Sequence, residues 1–199
     1  LLVGLSSGRI QAFDAVTLES LWIYTDPLRG QSNCPITVSN GYAYTGFWNS
    51  ETRDASFVCL PIADERPTAS NEEKYAAWRH VQAGGFYWAG ACVQNGVLLV
   101  GTDDGQNSTS PVLSTGRVLL FDAATGALLD EVGGICGDVR STICYDSGSN
   151  AYYATSKGGE FIRIKLDATG RKIASKQTLK LQNGTTSVAM STSTPVVYK

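Results

Sequence analysis

The side chains that could do chemistry are few and scattered. One histidine, His80, stands in Trp78-Arg79-His80. A general base or metal ligand needs partners, and no Ser/His/Asp order, His-Glu-x-x-His motif or glycine-rich phosphate loop accompanies it. It reads as a loop residue satisfied by its neighbours. Five cysteines, Cys34, Cys59, Cys92, Cys136 and Cys144, show no Cys-x-x-Cys pair, which argues against a zinc ribbon or a redox motif. Cys59 in Phe57-Val58-Cys59-Leu60 and Cys92 in Ala91-Cys92-Val93 suit small buried hydrophobes on strands. Cys136 and Cys144 are close enough in sequence for a small-loop disulfide in an oxidising compartment. Asp103-Asp104-Gly105-Gln106-Asn107 has oxygen ligands at calcium-like density, yet it lacks the alternate spacing and closing Glu of an EF-hand loop, so it reads as a turn. Asn107-Ser108-Thr109 and Asn183-Gly184-Thr185 fit the glycosylation sequon.

Bulk properties narrow the field further. With 43% hydrophobic and 17% charged residues, the 199-residue chain should collapse around a core. Sixteen Lys and Arg against 18 Asp and Glu leave no basic excess to neutralise a phosphate backbone, which excludes nucleic acid as a partner. No apolar run approaches the ~20 residues a membrane helix needs, so no membrane insertion by this segment is expected. The sequence opens on Leu1-Leu2-Val3-Gly4 with neither a Met nor a charged leader, and it reads as a mature or excised segment of a longer precursor.

The elements that must position any site are repeats. Leu2-Val3-Gly4, Ala43-Tyr44-Thr45-Gly46, Leu98-Leu99-Val100-Gly101 and Tyr152-Tyr153-Ala154-Thr155 are short β-type runs, each closed by a small residue, with anchors 42, 55 and 54 residues apart. After each of three of them a second run ends on an acid: Ile10 to Asp14, Val118 to Asp122 and Ile162 to Asp167. Asp14-Ala15-Val16-Thr17 recurs as Asp122-Ala123-Ala124-Thr125 and, shortened, as Asp167-Ala168-Thr169-Gly170. Asn40-Gly41 and Asn95-Gly96 lie between apolar runs, the strongest short signal for a type I′ hairpin. Inner strands are expected near Ile36–Val38, Ala91–Val93 and Thr142–Cys144. Trp22 and Trp78 should be buried between units while Asp14 and Asp122 cap turns. The only stretch with helical character is Asn71 to Trp78, a helical turn or a polar loop. Four short antiparallel strands in ~45–55 residues, repeated, describe propeller blades.

This motif, with its Asp-Ala-x-Thr-Gly-x-x-Leu-Trp close, resembles the PQQ-like (quinoprotein alcohol dehydrogenase-like) β-propeller repeat, best at Gly96 to Leu129 and Leu2 to Trp22. The resemblance implies an all-β fold of four-stranded antiparallel blades: a partial blade at 1–25, blades at about 31–79, 85–132 and 137–176, and a partial blade at 185–199, together one segment. Such propellers have seven or eight blades, so the chain reads as an arc rather than a self-closed four-bladed ring. Pro195-Val196-Val197-Tyr198 and Leu1-Leu2-Val3-Gly4 both read as second strands. Leu18 departs from the pattern where Gly126 keeps it, and Asp130 stands where Trp22 does. Enzymes of this family are expected to hold PQQ with calcium, an Asp base and an adjacent-cysteine disulfide, and no Cys-Cys pair exists here.

Counting strands puts Phe47-Trp48-Asn49, Arg79-His80, Phe86-Tyr87-Trp88, Asp103, Asp104 and Arg140 on one face, in the longer loops 47–55, 79–90 and 103–116. Long loops on a rigid scaffold carry binding. The expectation is a non-catalytic binding or interaction module of a secreted or cell-surface protein of the bacterial envelope. It would take a protein or glycan at Trp48, Trp88, Tyr87 and Arg79, with no cofactor and with further blades or another chain completing the ring. The competing reading is a fragment of a PQQ- and calcium-dependent quinoprotein dehydrogenase.

Overall fold

The computed structural model describes residues 1–103, 105, 115–183, 187–188 and 190–198. Among these, all regular structure is strand, and no helix is long and apolar enough to cross a membrane. In chain order the strands are β1 (Leu2–Leu5), β2 (Arg9–Phe13), β3 (Ser20–Thr25), β4 (Thr37–Ser39), β5 (Tyr42–Gly46), β6 (Asp54–Pro61), β7 (Glu72–Lys74) and β8 (Trp78–Ala83). There follow β9 (Cys92–Gln94), β10 (Val97–Gly101), β11 (Gly116–Asp122), β12 (Leu128–Ile135), β13 (Cys144–Asp146), β14 (Ala151–Thr155), β15 (Glu160–Leu166) and β16 (Ile173–Lys180). These sixteen form four sheets of four, ordered β1-β2-β3-β7, β4-β5-β6-β8, β9-β10-β11-β12 and β13-β14-β15-β16, and a further short pair, β17 (Gln182–Asn183) and β18 (Ser187–Val188), forms a two-stranded sheet. No pairing among the described residues joins the first sheet to the fourth.

The hairpins form where the sequence places them. Asn40 and Gly41 (φ 49° and 81°) and Asn95 and Gly96 (φ 51° and 79°) take the two left-handed conformations that a type I′ turn requires. Asp14 accepts the backbone N–H groups of Val16 and Thr17, both at 2.8 Å, and Asp122 accepts those of Ala124 and Thr125 at 3.1 and 2.9 Å. Successive residues of a strand point to opposite faces, and at each of three junctions the facing sides of two successive blades cover one another. Ile10, Trp22 and Tyr24 meet Val58 and Leu60. Phe57 and Trp78 meet Leu98 and Phe121, and Leu99 and Leu120 meet Tyr152 and Ile162. Trp22 is fully buried and Trp78 nearly so. The Trp78 indole stacks on Phe57 and Phe121 at 6.1 and 5.8 Å and donates across the blade junction to the carbonyl of Ala123 at 3.0 Å.

Four expectations need correction. Inner strands β4 and β9 begin one residue later than expected and β13 two later, at Cys144; Thr142 is instead spent on contact with the preceding blade, where a Cβ on Gly90 would meet it. Asn71 to Trp78 holds no helix: Glu72–Lys74 form β7, which runs parallel to β3 and completes the first blade, and after a short connection Trp78 opens β8. Alternation turns Glu72 and Lys74 to one side, where they are 6% and 4% exposed and lie 3.7 Å apart, with the Lys74 ammonium over the Trp22 ring, 5.4 Å from its centroid. The second blade extends past residue 79, through β8 to Ala83, so Arg79 and His80 are strand residues. Pro195–Tyr198 stand at an inner-strand position, not a second-strand one. The bond from Val139 N–H to the carbonyl of Thr102 (2.9 Å) recurs one blade later from Ser191 N–H to the carbonyl of Ser156 (3.3 Å), which sets Val196 in the place of Cys144. None of the five cysteines is disulfide-bonded. Asp104, most of the 103–116 loop, the sequon at Asn107 and the second and third residues of the sequon at Asn183 lie outside the described residues.

Candidate functional site

The loops after the second strands and those between blades emerge together, and they build one cluster. Trp48 follows β5; its backbone is tied to Gln31 by two hydrogen bonds, from Gln31 N–H to the Trp48 carbonyl at 2.7 Å and back at 3.1 Å. Tyr87 and Trp88 lie between β8 and β9. The Tyr87 ring is 4.7 Å from that of Trp48 and 4.4 Å from that of Trp88, the latter stacked. Phe86, their neighbour in sequence, is instead wholly in the core against Phe57 at 5.1 Å. Trp88 is 46% exposed and holds φ 57°, a left-handed conformation that a bulky side chain rarely adopts. The indole N–H of Trp48 is buried without a hydrogen-bond partner.

Beneath the aromatic layer lies an ion-pair network. Arg140, between β12 and β13, places its guanidinium 4.6 Å from the Tyr87 ring centroid. It grips Asp103 with two bonds, Nε to Oδ1 at 3.1 Å and Nη2 to Oδ2 at 2.8 Å, and it reaches Asp138 at 2.9 Å and Glu51 at 3.3 Å. Lys157 meets the same Asp138 oxygen, Oδ2, at 3.3 Å. Asp103 is 1% exposed. Burial, then the Asp138 carboxylate, push its carboxyl up to about 7 against the pull of Arg140. For Arg140 burial is the largest influence and acts downward, but its bonds and proximity to the carboxylates carry the net shift upward.

Glu51, Asp103 and Asp138 each bring one carboxylate oxygen within 4.8 Å of the others, the spacing of a cation site. The guanidinium of Arg140 already stands among them as the cation, so the residues do not fit calcium. No step through calcium or PQQ follows from them.

The structure thus brings Trp48, Tyr87 and Trp88 together and leaves Arg79 apart, on β8, where it meets buried Asp26 at 4.0 Å and Ser56 at 3.4 Å. His80 lies on the same strand in an edge-to-face contact with Phe121, ring centroids 4.9 Å apart, and burial lowers its pKa. Sequence reading placed Asp103 and Arg140 on this face but missed Glu51, Asp138 and Lys157. Only blade counting could have found those three, because charged loop residues carry no signal of their own.

A crystal structure of BamB from Moraxella catarrhalis matches with a TM-score of 0.61 at 18% identity, over 97% of this chain and 50% of that one. The fold is that of a β-propeller. The likeness supports the PQQ-like form of it, and this propeller chain spans about half the length of the structure it matches. No protein-family model matches the chain, and no curated protein does.

Proposed function

We propose that this propeller segment is a non-catalytic module of the bacterial envelope that binds a protein through its long-loop face. The observation that carries the reading is Trp88: a large aromatic, half exposed in a left-handed backbone conformation, stacked on Tyr87 above an Arg140-centred network. Nothing in blade packing requires it there, and strain of this kind is retained at functional positions. Aromatic anchors beside an arginine are the composition of binding hot spots. Asp103, whose carboxyl is pushed up to about 7, is buried and held by Arg140 at both oxygens, which turns it away from a substrate.

The test is a panel of peptides and glycans screened against the wild type and the Trp48→Ala and Trp88→Gly variants, with folding checked by circular dichroism. A peptide or protein bound at least tenfold more weakly by both folded variants supports the reading. A glycan with that behaviour would keep the site and change the ligand class, and a ligand indifferent to both would move the site. Dehydrogenase activity and a quinone absorbance band on adding PQQ and Ca²⁺ would establish the quinoprotein reading in its place.

A further inference from the structure

Two of the three blade junctions are closed in the same way. On β3, Trp22 lies opposite Ala12, and on β8, Trp78 lies opposite Cys59. Each sends its indole into the next blade, where the N–H donates to one backbone carbonyl: Ile62 at 3.2 Å for Trp22, Ala123 at 3.0 Å for Trp78. Beneath Trp78 the following blade is tightly covered. Phe121 is wholly buried there, and a Cβ on Gly126 would stand 2.5 Å from the indole.

The third junction has no such ring. Asp130 stands opposite Leu120, in the register that Trp22 and Trp78 keep, and its carboxylate accepts the N–H of Ile173 at 2.8 Å and that of Glu131 at 2.9 Å. Ala168 is the counterpart of Ala123, since each follows the acid whose N–H closes the turn, Asp122 to Ala127 and Asp167 to Lys172. The surface an indole would cover is bare. Ala168 is exposed where Ala123 is 5% exposed, Leu166 is half-buried where Phe121 is wholly buried, and the Cβ place on Gly170 has nothing within 4 Å beyond its chain neighbours. Among the described residues no donor is bonded to the carbonyl of Ala168. A hollow of about 210 Å³ opens there, lined by these three residues, by buried Val97 and Tyr152 and by exposed Asn95 and Asn150. Arg171, next in the turn, is drawn to Asp122 at 2.9 Å and does not line it.

We infer that this hollow receives the indole of a tryptophan from a partner protein, its N–H donated to the carbonyl of Ala168. The repeats themselves identify the occupant: the same place is filled by an indole at both preceding junctions, and here the chain supplies none. The size agrees. The hollow is smaller than the ~300–1,000 Å³ of a pocket that encloses a whole small ligand, and it suits a single side chain. A tryptophan anchored in a pocket, with its N–H satisfied, is a common centre of protein–protein binding. Asn95 and Asn150 place side-chain amides beside the hollow for the backbone that would carry the ring. It lies at the end of the blades that carries the Asn-Gly hairpins, opposite the long-loop face, so the inference is independent of what binds there.

N-acetyl-tryptophanamide titrated into the isotope-labelled chain, with amide resonances followed by NMR, tests this. The resonances of Val97, Ala168 and Gly170 should shift and saturate at millimolar probe. The N-methylindole analogue, which has no N–H to donate, should bind about fivefold more weakly, as the loss of one neutral hydrogen bond requires. N-acetyl-leucinamide and N-acetyl-argininamide should leave those resonances in place. Asp130→Trp supplies from the chain the ring that the other junctions have, and it should abolish the shifts. The methylated probe decides on the wild type alone if that variant does not fold. No shift at these residues, equal binding of the methylated probe, leucine or arginine bound as tightly as tryptophan, or a folded Asp130→Trp chain that binds like the wild type would overturn the inference.

Discussion

At the scale of single residues, the long-loop face is governed by two groups held away from their ordinary states. Asp103 ionises near 3.8 when unfolded and near 7 when folded, because burial outweighs Arg140. Between those values the native state keeps a proton that the unfolded chain has released. The stability from this group is therefore fully present below about pH 4 and is lost as pH rises through about 7. Asp103→Asn removes that term. Denaturant unfolding at pH 5 and pH 8 should show the wild type losing about 1–3 kcal/mol relative to the variant at the higher pH, and an equal or opposite difference would mean that Arg140 dominates. Trp88 is the second group. Replacing it by glycine relieves a left-handed backbone costing about 1–2 kcal/mol and removes a ring stack worth about 0.5–1.5 kcal/mol. Its melting temperature should thus stay near that of the wild type while ligand binding is lost. A large destabilisation would make Trp88 a packing residue.

At the scale of elements, the turn after the third strand of each blade shows how far sequence determines local structure. Asp14 and Asp122 do the same work, and the residue four places on is left-handed in both: Leu18 at φ 60°, Gly126 at φ 72°. Leu18 is 64% exposed, so Leu18→Gly should raise stability by about 0.5–1 kcal/mol. A Cβ on Gly126 would stand 2.5 Å from the Trp78 ring, so Gly126→Ala should cost more than about 2 kcal/mol. Thermal melts of the pair check both signs. The hairpins and capped turns were legible because Asn-Gly and Asp-Ala-x-Thr act through their own backbones. Strand β7 was not, because Asn-Glu-Glu-Lys is wholly polar and three-quarters charged, as a solvated loop is. It is buried only because the Trp22 ring and the carbonyl of Ala63, which accepts from Lys74 at 2.6 Å, come from elsewhere in the chain. The candidate site divides the same way. Trp48, Tyr87 and Trp88 were visible as aromatics in long loops, whereas Glu51 and Asp138 become partners only when three blades converge on Arg140. Arg79 was misplaced by a single misjudged strand end.

At the scale of the whole molecule, the chain is a row of blades in which each core belongs to two neighbours, and stability in such a row is approximately a sum of blade terms and junction terms. The junction between the second and third blades is centred on Trp78, which fills it with its ring and ties it with its N–H to Ala123. Trp22, wholly buried in the first junction, donates to the carbonyl of Ile62 at 3.2 Å. Truncating either to alanine should cost about 3–5 kcal/mol, yet the two losses should not look alike. Trp22→Ala loosens an end blade and should leave the remaining blades unfolding together at nearly the original temperature. Trp78→Ala cuts the row near its middle and weakens the coupling that makes both halves melt as one. Calorimetry should therefore show one transition for the wild type and a broadened or split transition for Trp78→Ala, with amides of β5 and β10 exchanging hydrogen in two separate groups. A single sharp transition, merely shifted, would mean that the arc is held together by more than its neighbour-to-neighbour junctions.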